Sequence, residues 1–346
     1  MPLRTAPTPP LHWSVANFLR RLRFGFREQE EPATIFVAGM ARSGTTWVAE
    51  LINFDNQRQL IFEPFFPQMV PEASCFERIQ YMRPEHKHVA RAAQARRILS
   101  GHVGNAWTDR YGVPVPGSKL IVKDIRCNLM LGWLKALCPK MPIVLVMRHP
   151  LAIAASLLRL GWTAPRPGGE RTNFQMIISQ PALLADFPIL SRILSQIDRN
   201  DLFEQILFQW GVYHLVPFSQ CGTGDLFPVQ YEALVLNPEG ELQNLFQFLR
   251  LPFDWNRLSQ AVERPSLTNC LKRDPETDRE HLLAGWKTEL SDQQIQRAKE
   301  ILSLFGWDPS GTGEYLGAPA RNELGRAGSA NNYLPRGHAP AGQALS

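Results

Sequence analysis

The sequence predicts an α/β fold, a mainly parallel sheet with helices on both faces. Three observations predict it. Five short β-prone runs alternate with helix-patterned stretches through the body of the chain, and parallel strands need such intervening crossovers. The runs at 34–38 and 143–147 are apolar without alternation, the pattern of buried strands. With 346 residues and 44% hydrophobic content, the chain has ample apolar surface for one large core.

The expected strands are 34–38, 59–62, 119–122, 142–147 and 227–231. The first expected helix, 46–53, follows a turn of small residues opened by Gly39. Helical spacing places others at 86–100, 128–137 and 202–218. The helix at 151–160 has Pro150 at its first turn, and the helix at 238–249 opens on Asn237-Pro238 and closes before Leu251-Pro252. A last helix is expected over 292–305. Binding sites in such sheets lie beyond the carboxyl ends of the strands.

The segment 34–47, TIFVAGMARSGTTW, reads as strand, phosphate loop and helix. A nucleotide-hydrolysing loop, G-x-x-x-x-G-K followed by Ser or Thr, requires Lys where this chain has Thr45. The cation instead comes early, at Arg42. Such a loop can hold a 5′-phosphate on backbone N–H groups, with Gly44 permitting close approach, but lacks the reach towards a γ-phosphate.

A second segment, 141–156 (MPIVLVMRHPLAIAAS), is a buried strand ending in Arg148 rather than in a magnesium-binding Asp. Ser156 follows two helical turns on, placing its hydroxyl near that guanidinium. Two separated anion sites and no evident metal ligand point to a nucleotide phosphorylated at two places.

With these residues in place the chain resembles the sulfotransferases that use 3′-phosphoadenosine 5′-phosphosulfate (PAPS). Arg42, Ser43, Gly44, Thr45, Thr46 and Trp47 resemble the family's 5′-phosphosulfate loop, and Arg148 with Ser156 its 3′-phosphate pair. The segment 230–252 is similar to the family's strand, Tyr-Glu pair, Asn-Pro turn and helix closed by Leu-Pro, and Trp286-Lys287 with Leu290-Ser291 resembles its C-terminal segment. The resemblance covers roughly residues 33–306 and implies a single P-loop-type three-layer domain, PAPS as co-substrate and no metal. It also implies that Trp47 stacks on adenine, with core packing as the other reading; Tyr231 either borders the purine or packs.

Departures from the family locate the subfamily. Enzymes acting on phenols and steroids carry K-x-H before the 3′-phosphate strand, with the His as base; here Lys123-Asp124-Ile125 keeps the Lys alone. Glu63-Pro64, 21 residues beyond Arg42, resembles a Glu-Pro pair of some carbohydrate sulfotransferases. The chain is thus more similar to carbohydrate-type or bacterial enzymes. The resemblance makes Glu63 the candidate base, the other reading being an ion-pair partner of Arg42 or a helix cap. Arg42 and Lys123 are the candidates for stabilising the departing phosphate. Asp124 and Arg126 are expected to form a structural pair. His149 stands where the family commonly has Asp or Asn.

Residues 1–32 form a basic extension in which Val15, Phe18, Leu19, Leu22 and Phe26 recur at helical spacing among arginines. The helix either lies on an anionic membrane surface or docks on the core. The sulfotransferase domain is expected over 33–307 and a tail poor in large apolar residues over 308–346. Residues 163–171 read as a loop, and 173–200 as a candidate acceptor lid. His86 and His88, two apart on a helix, point to different faces, against a shared metal. His102 and Trp107 either contact acceptor or pack in a loop.

Five scattered cysteines without ligand spacing fit a reducing compartment. A formal charge of +5 suits an anionic nucleotide without calling for nucleic acid. No apolar run approaches the roughly 20 residues that span a bilayer, and the N-terminus lacks a signal-peptide pattern, so the expected location is cytoplasmic, either free or peripheral at the membrane surface. The expected partner is a hydroxyl-bearing acceptor, a glycan or glycolipid. Alternatives are a P-loop kinase or hydrolase, opposed by Thr45 and Arg148, and a non-catalytic membrane-surface adaptor that keeps the nucleotide pocket.

Overall fold

A computed structural model describes residues 34–111, 119–161, 170–264 and 282–307. Its sheet has five strands, β1 (Thr34–Gly39), β2 (Arg58–Phe62), β3 (Lys119–Asp124), β4 (Ile143–Met147) and β5 (Leu226–Gln230), ordered β2-β3-β1-β4-β5. Every pairing is parallel. The α/β expectation holds. After β1 the chain builds one flank of the sheet and then crosses to build the other, so the crevice of a switch point opens at the carboxyl end of β1.

The helices alternate with these strands. They are α1 (Thr45–Ile52), α2 (Val89–Leu99), α3 (Leu131–Leu137), α4 (Pro150–Leu160), α5 (Asn173–Ile178), α6 (Pro181–Asp186), α7 (Pro188–Leu194), α8 (Leu202–Gln220), α9 (Tyr231–Leu236), α10 (Pro238–Leu249), α11 (Trp255–Val262), α12 (Trp286–Glu289) and α13 (Asp292–Leu304). Strand alternation divides the core between two faces. Val37, Ile121, Val144 and Val229 pack with Val48 and Leu51 of α1 and Leu245 of α10. Phe36, Val122 and Leu145 face Ile153 of α4, Trp210 of α8 and Ile301 of α13. Helix α8 is buried along nearly its whole length, as a helix apolar on every side must be.

Local chemistry sets the helix ends. Asp201 caps α8 by accepting from the N–H groups of Phe203 and Glu204, and Ser291 with Gln294 forms a capping box on α13. Pro150 opens α4 and Gly161, at φ 63°, closes it.

Several expectations need correction. The expected helix at 86–100 begins only at Val89, because His88 turns extended and accepts from the Arg91 N–H as a cap. The stretch expected as one helix over 128–137 is a 3-10 turn at Asn128–Met130 followed by α3. Tyr231 is the first residue of α9 rather than the last of a strand.

The 173–200 stretch folds into α5, α6 and α7, joined to the body by side chains. Gln180 Oε1 accepts from the Tyr81 N–H at 2.7 Å, and Asp186 accepts from Tyr81 Oη at 2.6 Å and from both Nε and Nη2 of Arg83. The expected basic extension, the tail and most of the 163–171 loop lie outside the described residues. No helix among the described residues is long and apolar enough to cross a membrane.

Candidate active site

Gly39 ends β1 beside Val146 of β4, and the chain then turns through Arg42 and Gly44, both at positive φ, 71° and 91°. Gly44 is needed there twice over. Its φ disfavours an L side chain, and a Cβ would lie 2.6 Å from Cδ2 of Tyr231. Helix α1 starts at Thr45 with no acidic residue in its first turn, so its positive end is not neutralised from within. Ser43 is fully buried and its Oγ has no hydrogen-bond partner among the described residues. An unpartnered buried hydroxyl inside such a turn suits a phosphate oxygen.

Two guanidiniums converge on this turn. Arg42 Nε donates to Ser156 Oγ at 3.0 Å. Arg148, at the end of β4, donates through Nη1 to the Arg42 carbonyl at 3.1 Å and through Nη2 to the Leu282 carbonyl at 3.0 Å. Burial, and then the charge of Arg148, lower the Arg42 pKa below the usual guanidinium value. No carboxylate among the described residues forms a salt bridge with Arg148, so two guanidiniums bring positive charge to one turn. Ser156 thus bonds Arg42 rather than Arg148, its expected partner.

Tyr231 holds these pieces in place. Its ring lies under Gly44, edge-on to Trp47 at 5.6 Å, with the Arg148 guanidinium 4.6 Å from its centroid. Burial raises its phenol pKa, so it stays neutral. Trp47 is only partly buried. Neighbouring contacts fix Arg148 further, since Trp210 Nε1 donates to its carbonyl at 3.0 Å. The adjacent His149 stacks on Trp286 at 4.7 Å, and its N–H donates to Glu232. Burial pushes the His149 pKa down to about 4, so it is neutral.

Two strands away in the sheet, Glu63 follows β2. Its φ of 45° is rare for a non-glycine residue and costs about 1–3 kcal/mol, which the surroundings enforce. The Glu63 N–H donates to the Lys123 carbonyl at 2.6 Å, and its own carbonyl accepts from Trp107 Nε1 at 3.3 Å. The carboxylate is 4% exposed. Lys123 Nζ lies 2.7 Å from Oε1 and Arg126 Nη1 2.5 Å from Oε2. Burial alone would raise the Glu63 pKa, but Lys123 and Arg126 outweigh it and hold the group below the usual carboxylate range. Glu63 is therefore ionised and clamped from both sides.

Glu63 pairs with Lys123 and Arg126, not with Arg42. Asp124 and Arg126 form no side-chain pair; Asp124 instead accepts from the backbone N–H groups of Phe65 and Arg126 at 2.9 and 2.8 Å. Sequence reasoning set Arg126 aside, and the signal it missed is position: Phe62 and Lys123 are register partners, which brings the residues just beyond them together. Aromatic rings gather on this side. Arg126 lies 3.8 Å from the Phe66 ring centroid, Arg110 4.3 Å from that of Trp107, and Phe62 meets Trp107 at 5.5 Å. Among the described residues no group of side chains is arranged to hold a metal ion.

Residues 32–178 match the model of the sulfotransferase family. Nodulation protein NoeE of Sinorhizobium fredii is 26% identical over 289 residues, a match covering 78% of this chain and 64% of NoeE. The chain therefore spans less than two thirds of that relative's length. Among solved structures, the sulfotransferase domain from the curacin biosynthetic pathway superposes with a TM-score of 0.43 at 18% identity, covering 79% of this chain and 98% of that one. Mouse sulfotransferase SULT7A1 complexed with PAP gives 0.42 at 13%, covering 85% and 90%. Scores below 0.5 add nothing to the fold, which rests on the sheet described above. Residues 32–178, which carry the turn after β1, Glu63, Lys123 and the Arg148–Ser156 segment, are thus similar to the sulfotransferase family.

Proposed function

We propose that this protein is a PAPS-dependent O-sulfotransferase acting on a hydroxyl of a carbohydrate or glycoconjugate, with Glu63 as the general base. One observation carries the reading: the ends of β1 and β4 present Arg42 and Arg148, where a nucleoside triphosphatase would present a Lys and a metal-binding Asp. The buried Ser43 hydroxyl and the N-terminus of α1 fit the 5′-phosphosulfate, and Ser156 and Arg148 the 3′-phosphate. Trp47 and Tyr231 border the purine.

In this reading Glu63 takes the acceptor's proton as the acceptor oxygen bonds to sulfur. The bond from sulfur to the bridging oxygen breaks, and the leaving 5′-phosphate keeps the electron pair. Lys123 and Arg42 stabilise that charge. The products are a sulfate ester, adenosine 3′,5′-bisphosphate and a proton on Glu63. A sugar acceptor is supported by the partly exposed Trp107 and Phe66 rings beside Glu63, each with a guanidinium over one face, an aromatic and polar lining suited to a hydroxyl-rich ring. Incubation with sulfur-labelled PAPS and a panel of glycans, glycolipids and phenols, without magnesium, tests class and acceptor together. Label transfer to a glycan or glycolipid is expected; transfer to phenols alone would overturn the acceptor assignment, and no transfer to any the activity.

A further inference from the structure

We propose that the donor's 5′-phosphosulfate draws Lys123 away from Glu63, so that Glu63 becomes a working base only once the donor is seated, while Arg126 remains on the other carboxylate oxygen and aims it. This rests on the sulfotransferase reading above. In the structure each carboxylate oxygen is bound by one cation, Oε1 by Lys123 and Oε2 by Arg126. A carboxylate held in this way accepts a proton poorly. To act as base, Glu63 must lose one of its two partners.

Position decides which one leaves. Lys123 lies opposite Val37 of β1 in register, one strand from the phosphate loop. Strand alternation puts it on the same face as Ile121, which packs in the cluster containing Val48, Ala49 and Leu51 of α1. That is the face on which the loop enters α1. Lysine is also a compact charge on a flexible stem, suited to trading one anion for another. Arg126 is fixed differently, its planar guanidinium lying 3.8 Å from the Phe66 ring centroid while its own N–H is bound to Asp124.

The other groups around Glu63 do not replace Lys123. Asp124 is fully buried and occupied with the Phe65 and Arg126 N–H groups. From β2 comes the Phe62 ring, 4.4 Å from Lys123 Nζ, and from the 105–108 turn the Trp107 indole, bound to the Glu63 carbonyl; the Arg110 guanidinium lies over the Phe62 and Trp107 rings, at 5.5 and 4.3 Å from their centroids, rather than on the carboxylate. The exchange also avoids a stranded charge. Lys123, 4% exposed, passes from carboxylate to phosphate without standing unpaired in a buried site. It then meets the oxygen on which negative charge grows as the sulfuryl group departs. Arg126 is accordingly a positioning residue.

The measurement is proton uptake on binding, from calorimetry in buffers of different ionisation enthalpy, comparing PAPS with adenosine 3′-phosphate and no acceptor present. Both ligands carry the 3′-phosphate, so its own proton exchange cancels, and the phosphosulfate does not titrate near neutral pH. PAPS should take up a fraction of a proton more per site, increasing as the pH falls from about 7 to about 5. Glu63→Gln should abolish the difference, and so should Lys123→Met, whose carboxylate has no lysine to lose. An equal proton count for both ligands in the unmodified protein would overturn the exchange, as would an uptake that survives in Lys123→Met, since the donor's charge alone would then explain it. Failure of PAPS to bind at all would instead remove the sulfotransferase reading, and this inference with it.

Discussion

Arg42 donates through Nε to Ser156 Oγ at 3.0 Å, joining the phosphate loop to helix α4 across 114 residues of sequence. The same arginine's carbonyl accepts from Arg148. The two expected anion sites therefore share one scaffold, and a change at either is felt at the other.

Ser156→Ala removes a hydroxyl that orients Arg42 and is proposed to meet the 3′-phosphate. Affinity for adenosine 3′,5′-bisphosphate should fall by about 0.5–1.5 kcal/mol, the net worth of one such bond. Calorimetric titration of both proteins checks it; unchanged affinity would leave Ser156 as loop scaffolding.

Arg148→Ala deletes a charged donor and its contact to the Arg42 carbonyl. Loss of a charge-assisted contact should weaken the bisphosphate by about 1.5–3 kcal/mol. AMP, lacking the 3′-phosphate, should lose less, through the loosened loop alone. Equal losses for both nucleotides would place Arg148 away from the 3′-phosphate.

Glu63→Gln preserves the size of the side chain and an acceptor for Lys123 and Arg126 while removing the proton acceptor. We expect kcat to drop about 100-fold or more while the bisphosphate still binds. Turnover near the unmodified rate, with nucleotide still bound, would assign the base to another residue.

The pH dependence of stability should report a buried histidine with no part in this chemistry, packed behind Arg148 through Trp210. His214 is 1% exposed, its Nδ1 bonds the Trp210 carbonyl at 2.7 Å, and burial pushes its pKa from 6.5 to about 4. Between those values the unfolded chain binds the proton that the folded protein excludes, so stability falls as pH drops through that window, by at most about 3 kcal/mol from this group. His149, also lowered to about 4, acts in the same direction. Denaturant titrations from about pH 7 to 4 should show this loss, reduced in His214→Phe. An unchanged slope in that variant would exclude His214 as a source.

Local pattern carried much of this architecture. The five strands stand within two residues of expectation at either end because buried parallel strands are short apolar runs, and the phosphate loop is visible in its small residues and Gly44. What escaped depends on distant neighbours. The Arg126 contact to Glu63 follows from the pairing of β2 with β3, which no local pattern encodes. The partner of Ser156 depends on the side-chain course of Arg42 in a left-handed turn. Tyr231 is β-prone by type, yet it starts α9, where its ring closes over Gly44. The helices at 173–194 present no motif because short helices held by Asp186 and Gln180 need only scattered polar anchors.

The most direct test of the central claim is nucleotide choice measured by calorimetry, with and without magnesium. An arginine-based cluster should bind adenosine 3′,5′-bisphosphate much more tightly than AMP or ATP, and magnesium should make no difference. Tight, magnesium-dependent binding of ATP with indifference to the bisphosphate would contradict the account.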